Sequence, residues 1–239
     1  MAAQHASAWP EDPYPGTWPD HSYVVDADAL VHPVVPGEGD WLVGADRIEL
    51  DAWLSERGLP GLSERDAVLS FGSNRCPSKV VRQGGPFVNL VCRTKGLAAV
   101  WSHGTRSSDG QVVATLVGAD DHEADFFVSL CTDDDIAMLD VVEGRGTGYE
   151  LLAIDPDLVV LENGESPERI WAYVGLHPHR TPVAGEDGLP VLLTAMNQDE
   201  IAIWRERDAV HWVHDPQTPW RPLSVDSAHG RHGRTGHRR

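Results

Sequence analysis

Two short stretches of this chain carry side chains whose type and spacing could do chemistry. The first is Phe71-Gly72-Ser73-Asn74. An apolar run over 67–71 enters it, and Pro77, a residue suited to the first turn of a helix, follows closely. A strand that turns on Gly, with small polar residues next and a helix behind, aims several backbone N–H groups at one point. That arrangement suits a carboxylate or a phosphate. Gly-Ser-Asn is equally the composition of an ordinary turn. The second stretch ends in Glu143. Thr132 stands three residues before Asp135, the pattern of a capping box, and Gly144 marks a stop, so the spacing predicts a helix over 133–143. On a wheel of about 100° per residue with Ile136 at zero, Glu143 falls at about 340°, between Ile136 and Leu139 on the inward stripe. Asp140, at about 40°, borders that stripe from the solvent side. Burial and the negative end of the helix dipole both disfavour a carboxylate anion there, which is the setting of a Glu that takes and returns a proton. The plainer alternative is a helix-end Glu that snorkels to water.

These groups need elements to position them. Residues 67–71, a tight loop and a helix from Pro77 to the Gly84-Gly85 stop form one unit. Residues 96–102 and 111–118 flank Ser108-Asp109-Gly110, a hairpin signal, and 124–131 reads as a further strand. Strands are expected over 149–154, 158–161 and 170–176, with a turn at Asn163-Gly164, and helices over 46–57 and 198–214. The arm over 1–22 carries Pro10, Pro13, Pro15 and Pro19 among Trp9, Tyr14 and Trp18. It is too broken for a helix and too aromatic for a solvated tether, so it is expected to lie along the domain.

Composition bounds the function. With 239 residues, 41% hydrophobic and 23% charged, the chain can bury a core, and wholesale disorder and coiled coil are excluded. The net charge of -18 argues against nucleic acid as a partner. No stretch is long and apolar enough to span a membrane, and the first ten residues have no signal-peptide pattern. Three cysteines, Cys76, Cys92 and Cys131, in no metal-like spacing fit a reducing compartment, so the cytoplasm is the expected location. The tail after 224 holds four arginines and three histidines and reads as a solvated, disordered end.

Taken together, the two motifs resemble those of γ-glutamylcyclotransferase-like proteins. Val68 to Asn74 is similar to the Tyr-Gly-Ser-Asn signature after the first strand of that family. Leu139-Asp140-Val141-Val142-Glu143-Gly144 followed by Tyr149 is similar to its Leu-Asp-x-x-Glu-Gly helix end and Tyr. The resemblance spans roughly 67–175. It implies an α+β fold, a small mixed β-barrel with flanking helices. With the segments read above, the chain is expected to divide into the arm (1–22), an N-terminal extension (23–66), the family domain (67–176), a C-terminal helical extension packed on it (177–224) and the basic tail (225–239). The resemblance also implies release of 5-oxoproline from a small γ-glutamyl amide, without cofactor or metal. Glu143 is then the acid/base, and Phe71, Gly72, Ser73, Asn74 and Tyr149 hold substrate. Phe71 replaces the usual Tyr and deletes a hydroxyl.

A second reading keeps the fold and drops the chemistry: the cleft holds a small anion, or the arm makes an interaction surface. A cleft with Glu143, the 72–74 amides and room for a ligand favours the enzyme; a cleft filled by Trp or Phe favours the binder. Among the twelve histidines, His177-x-His179 and His211-x-x-His214 have ligand-like spacing, but no Cys or acidic cluster accompanies them, so they read as solvated or packed. Cys76 precedes a helix with no His paired to it in sequence, and Ser73 lacks the context of a nucleophile elbow.

Overall fold

The computed structural model describes residues 1–84, 87–212 and 218–223. In chain order the elements are β1 (Gln4–His5), β2 (Tyr23–Val25), β3 (Leu30–Pro36), β4 (Trp41–Val43), β5 (Ile48–Glu49), α1 (Leu50–Glu56), β6 (Asp66–Ser70), α2 (Pro77–Arg82), β7 (Val88–Thr105), β8 (Val112–Cys131), α3 (Asp133–Glu143), β9 (Glu150–Ile154), β10 (Val159–Leu161), β11 (Ile170–Val174), α4 (Gln198–Trp204) and β12 (Trp220–Arg221). The fold is a mixed α+β arrangement of one large sheet and a few short helices.

The hairpin signal at 108–110 forms, with Gly110 supplying the positive φ of 72° that its turn requires. Its strands run on well past the expected ends. β7 and β8 pair from Thr105 opposite Val112 to Val88 opposite Leu130, so the stretch 124–131 is the far half of β8 and not a separate strand. The register shifts between Lys95 and Leu97, where Gly96 has φ 85°, and such an irregularity bends a long ribbon.

The sheet runs β5-β4-β3-β2-β7-β8-β6-β11-β9 and is open, which corrects the expected closed barrel. A barrel would need β9 to pair with the far edge of β7. That edge is already taken, by β2 at Val88 and Asn89 and by β10 at 92–94. The chain joins the two sides covalently instead, passing from β9 through one 3₁₀ turn at Pro156–Leu158 into β10. The β6–β11 pair is parallel and the other named pairs are antiparallel.

Two larger apolar clusters sit on this sheet, beside a small one of Ala98, Val100, Val117 and Ala119 on β7 and β8. The larger joins β6 to β11 through residues such as Leu69, Phe127, Leu139, Leu152 and Tyr173, and it receives Trp9, Tyr14 and Trp18 from the arm. The smaller packs α1, through Leu50, Trp53 and Leu54, on Val24, Val34, Val88 and Leu90. Residues 23–66 therefore continue the sheet and share this second core with β7.

α1 is shorter than the 46–57 expected, because Ile48 and Glu49 pair with β4. α4 stops at Trp204 instead of reaching 214. The backbone of 208–210 bonds to Pro182 and Ala184 and so cannot continue the helix. Cys76, Cys92 and Cys131 are free and buried, and burial pushes their thiols up, that of Cys92 to about 12. Among the described residues no helix is long and apolar enough to cross a membrane. His214 and the 225–239 tail lie outside the described residues.

Candidate functional site

β6 ends at Ser70 and the chain turns at once. Phe71 is buried against Phe126, ring centroids 6.3 Å apart, and Gly72 opens a single 3₁₀ turn over Ser73–Arg75. The turn is closed by a bond from Cys76 N–H to the Ser73 carbonyl at 3.0 Å. N–H groups that open such a turn have no partner within it. Opposite this turn stands the end of α3, which has the bounds its sequence predicts. Thr132 Oγ1 accepts from Asp135 N–H, Asp135 Oδ2 accepts from Thr132 N–H, and Gly144 caps the far end with φ 63°. Ile136 and Leu139 are buried, and Glu143 is half-buried with its side chain 15% exposed. Asp140 borders the stripe as the wheel requires, accepting a bond of 2.7 Å from Tyr173 OH.

The two motifs meet. Asn74 Nδ2 donates to Glu143 Oε1 at 3.0 Å, and the Asn74 Oδ1 is buried without a partner. Phe71, Gly72, Ser73, Asn74, Glu143 and Tyr149 all line one cavity of about 480 Å³. Tyr149 is anchored behind it, donating to the Ala114 carbonyl at 2.7 Å, and burial pushes its phenol well above the ordinary value.

Lys79, which the sequence reading passed over, completes the cluster. Its Nζ donates to Ser73 Oγ at 2.8 Å and lies 3.7 Å from Glu143 Oε1. The side chain is buried. Burial pushes the ammonium below its ordinary value, and Glu143 opposes that shift. The sequence reading of Glu143 included no such neighbour: an ammonium stands 3.7 Å from its carboxylate. No local signal in the sequence singles out Lys79: it lies in the last turn of the six-residue α2, where a cation is ordinary.

The arm supplies a second unforeseen residue. Tyr14 is buried, with its backbone N–H on Gln111 and its carbonyl accepting from Gln198 Nε2 at 3.3 Å. Its hydroxyl accepts from Ala114 N–H at 3.0 Å and stands only 2.6 Å from where a Cβ on Gly72 would be. Gly72 has φ −113°, so the close approach of Tyr14 is what requires glycine there. Burial pushes the Tyr14 phenol up to about 12, so the group is a hydroxyl at neutral pH. The arm thus brings a hydroxyl to the loop whose own aromatic residue, Phe71, has none.

The cavity wall is cationic: Lys79, Arg82, Arg106 and Arg180 line it, with Glu143 as its carboxylate. Neither Tyr14 nor Arg180 has a local sequence signal, since each reaches the cavity from a segment far along the chain. His177 and His179 stack, ring centroids 6.1 Å apart, and only His179 lines the cavity.

No protein-family model and no curated protein matches this chain. Among solved structures it is similar over 48% of its length to a gamma-glutamyl cyclotransferase, at 18% identity, 68% coverage of that chain and a TM-score of 0.42. It is similar over the same share to an uncharacterized protein from Homo sapiens, at 19% identity, 68% coverage and a TM-score of 0.40. Over 60% of its length it is similar to a protein from Arabidopsis thaliana solved in solution, at 17% identity, 84% coverage and a TM-score of 0.40.

Proposed function

We propose that this protein is a γ-glutamylcyclotransferase-like enzyme that cleaves a γ-glutamyl amide and releases 5-oxoproline and an amine. The observation that carries the proposal is the contact of Asn74 with Glu143 inside a cavity that Trp and Phe side chains leave open. In this reading the substrate α-carboxylate lies against the opening N–H groups of the 72–74 turn, and the α-amine lies near Glu143. Glu143 takes a proton from the amine, whose nitrogen forms a bond to the γ-carbonyl carbon and closes a five-membered ring. The oxyanion that develops is met by N–H and O–H donors. Glu143 then returns the proton to the leaving nitrogen as its bond to the carbonyl carbon breaks. Atoms and charge balance with no other reactant. The reaction is unimolecular in bound substrate, so orientation supplies much of the rate.

Lys79 has a defined part in this scheme. It sets an ammonium beside the Glu143 carboxylate, and by bonding to the Ser73 oxygen it leaves the Ser73 hydroxyl proton free to donate into the cavity. Asn74 fixes the Glu143 carboxylate through its amide nitrogen and presents its unpartnered oxygen to an incoming ammonium or amine. The test is to incubate the full chain with a panel of γ-glutamyl amines, amino acids and peptides and to measure 5-oxoproline. Formation from at least one compound is the expected result. Binding of several without turnover would instead establish the anion-binding alternative, which the cationic cavity wall also favours.

A further inference from the structure

Arg180 differs from the other cations that line the cavity. Arg82 is bonded to Glu11, Arg106 to Asp109, and Lys79 faces Glu143. No carboxylate among the described residues pairs with Arg180. Among the described residues its guanidinium hydrogen-bonds the Thr105 carbonyl, at 3.5 Å, and its Nε is buried without a partner. An unpaired cationic N–H is costly in a buried place, and a free guanidinium is unusual in a chain of net charge -18.

The position is nonetheless built. A Cβ on Gly104 would stand 2.0 Å from Arg180 Nη1, and one on Gly175 would stand 2.5 Å from the Arg180 Cβ, so two glycines make the slot the side chain fills. The ring of Tyr149 lies 5.3 Å from the guanidinium carbon, a cation–π seat. At Gly148 a Cβ would stand 2.9 Å from the Glu143 carbonyl oxygen and 3.9 Å from Arg180 Nε, which places the guanidinium alongside the end of α3.

We infer that Arg180 anchors a second carboxylate of the substrate, one carried by the amine that leaves. The inference rests on the cyclotransferase reading and deepens it. A γ-glutamyl unit brings one α-carboxylate, for which the 72–74 turn is suited, and Arg180 enters the cavity from a different segment. A planar guanidinium grips a carboxylate through two parallel N–H···O bonds. The leaving group selected in this way is an amino acid or a peptide joined through its amine, in preference to an alkylamine.

The experiment uses two compounds that differ by one carboxylate, γ-glutamyl-alanine and γ-glutamyl-ethylamide, with the full-length protein and its Arg180→Leu variant. Both 5-oxoproline formation and calorimetric Kd are measured. Wild type is expected to favour γ-glutamyl-alanine on the order of 10- to 100-fold in kcat/KM and in Kd, and Arg180→Leu to lose that preference with γ-glutamyl-ethylamide unchanged. The loss falls on KM and not on kcat. Should Arg180→Leu fail to fold, Arg180→Gln, with similar reach and no charge, carries the same comparison. An Arg180-dependent Kd preference without any 5-oxoproline supports the anchor and removes the cyclotransferase reading. Turnover of both compounds with a ratio that ignores Arg180 overturns the anchor and leaves that reading standing. Binding of neither compound overturns both.

Discussion

Lys79 and Arg180 line the same cavity and are held in opposite ways. Lys79 is buried on α2 and spends its charge inside the protein, on Ser73 and Glu143. Arg180 sits in a glycine slot on the Tyr149 ring, and no carboxylate among the described residues pairs with it. The contrast teaches that a cation in a cavity has two distinct uses. One is tied to neighbouring side chains, and in the proposed reading the other is kept for a carboxylate that arrives from outside.

The largest effect that would sharpen this contrast is at the carboxylate Lys79 serves. Glu143→Gln keeps shape and the bond from Asn74 but cannot carry a proton, so kcat should fall about 10²- to 10⁴-fold with ligand affinity largely retained. A near-normal kcat would end the proposed mechanism.

Lys79→Met removes the ammonium and leaves the buried stem. Expected is a fall in kcat of roughly tenfold to a hundredfold with KM little changed, since the loss is in proton handling and not in substrate grip. Its stability should also respond differently to pH. The folded chain holds the Lys79 proton less tightly than the ordinary value of 10.5, so as pH rises toward 10.5 the unfolded state binds more protons than the folded one. Wild-type stability therefore gains from this group as pH rises through that window and is penalised below it. Denaturant titrations over a pH series should show that rise in the wild type and its absence in Lys79→Met; parallel curves would contradict the assigned burial.

A smaller effect concerns the arm. Gly72→Val drives a side chain into the Tyr14 hydroxyl, and overpacking of this kind costs about 1–3 kcal/mol. Melting and ligand affinity should both drop, and adding Tyr14→Phe should restore part of each. Additive losses in the double variant would show that the two residues do not meet.

The smallest effect is at the bond from Arg82 to Glu11, which holds the Glu11 carboxyl below its ordinary value of 4.5. That contribution is complete above about 4.5 and fades as pH falls through the lowered value. Arg82 is exposed and Glu11 only partly buried, so less than about 1 kcal/mol is at stake. Limited proteolysis within 1–22 should quicken only at acidic pH, and an equal change in Arg82→Gln would remove the clamp from the explanation.

Local rules carried much of the site. The cap at Thr132, the stop at Gly144 and the phase of Ile136 and Leu139 are interactions within a few residues, so the helix and the inward lean of Glu143 could be read along the chain. The same holds for the turn at Gly72 and the hairpin at Gly110. The course of the arm was also legible, because three aromatic rings among prolines have few ways to avoid water except by packing. What the chain could not announce were meetings between distant segments. Tyr14 approaches Gly72 from the arm, Lys79 faces Glu143 from another helix, and Arg180 fills a slot made by Gly104 and Gly175. The open sheet belongs with these, since only the occupation of β7's edge by β2 and β10 keeps β9 from closing it. α4 ends early for the same reason, through backbone bonds to Pro182 and Ala184. Periodicity and caps act over one or two turns, so they determined the elements and the two motifs. Burial, charge pairing and edge occupancy depend on which elements come together, and only the tertiary structure decided those.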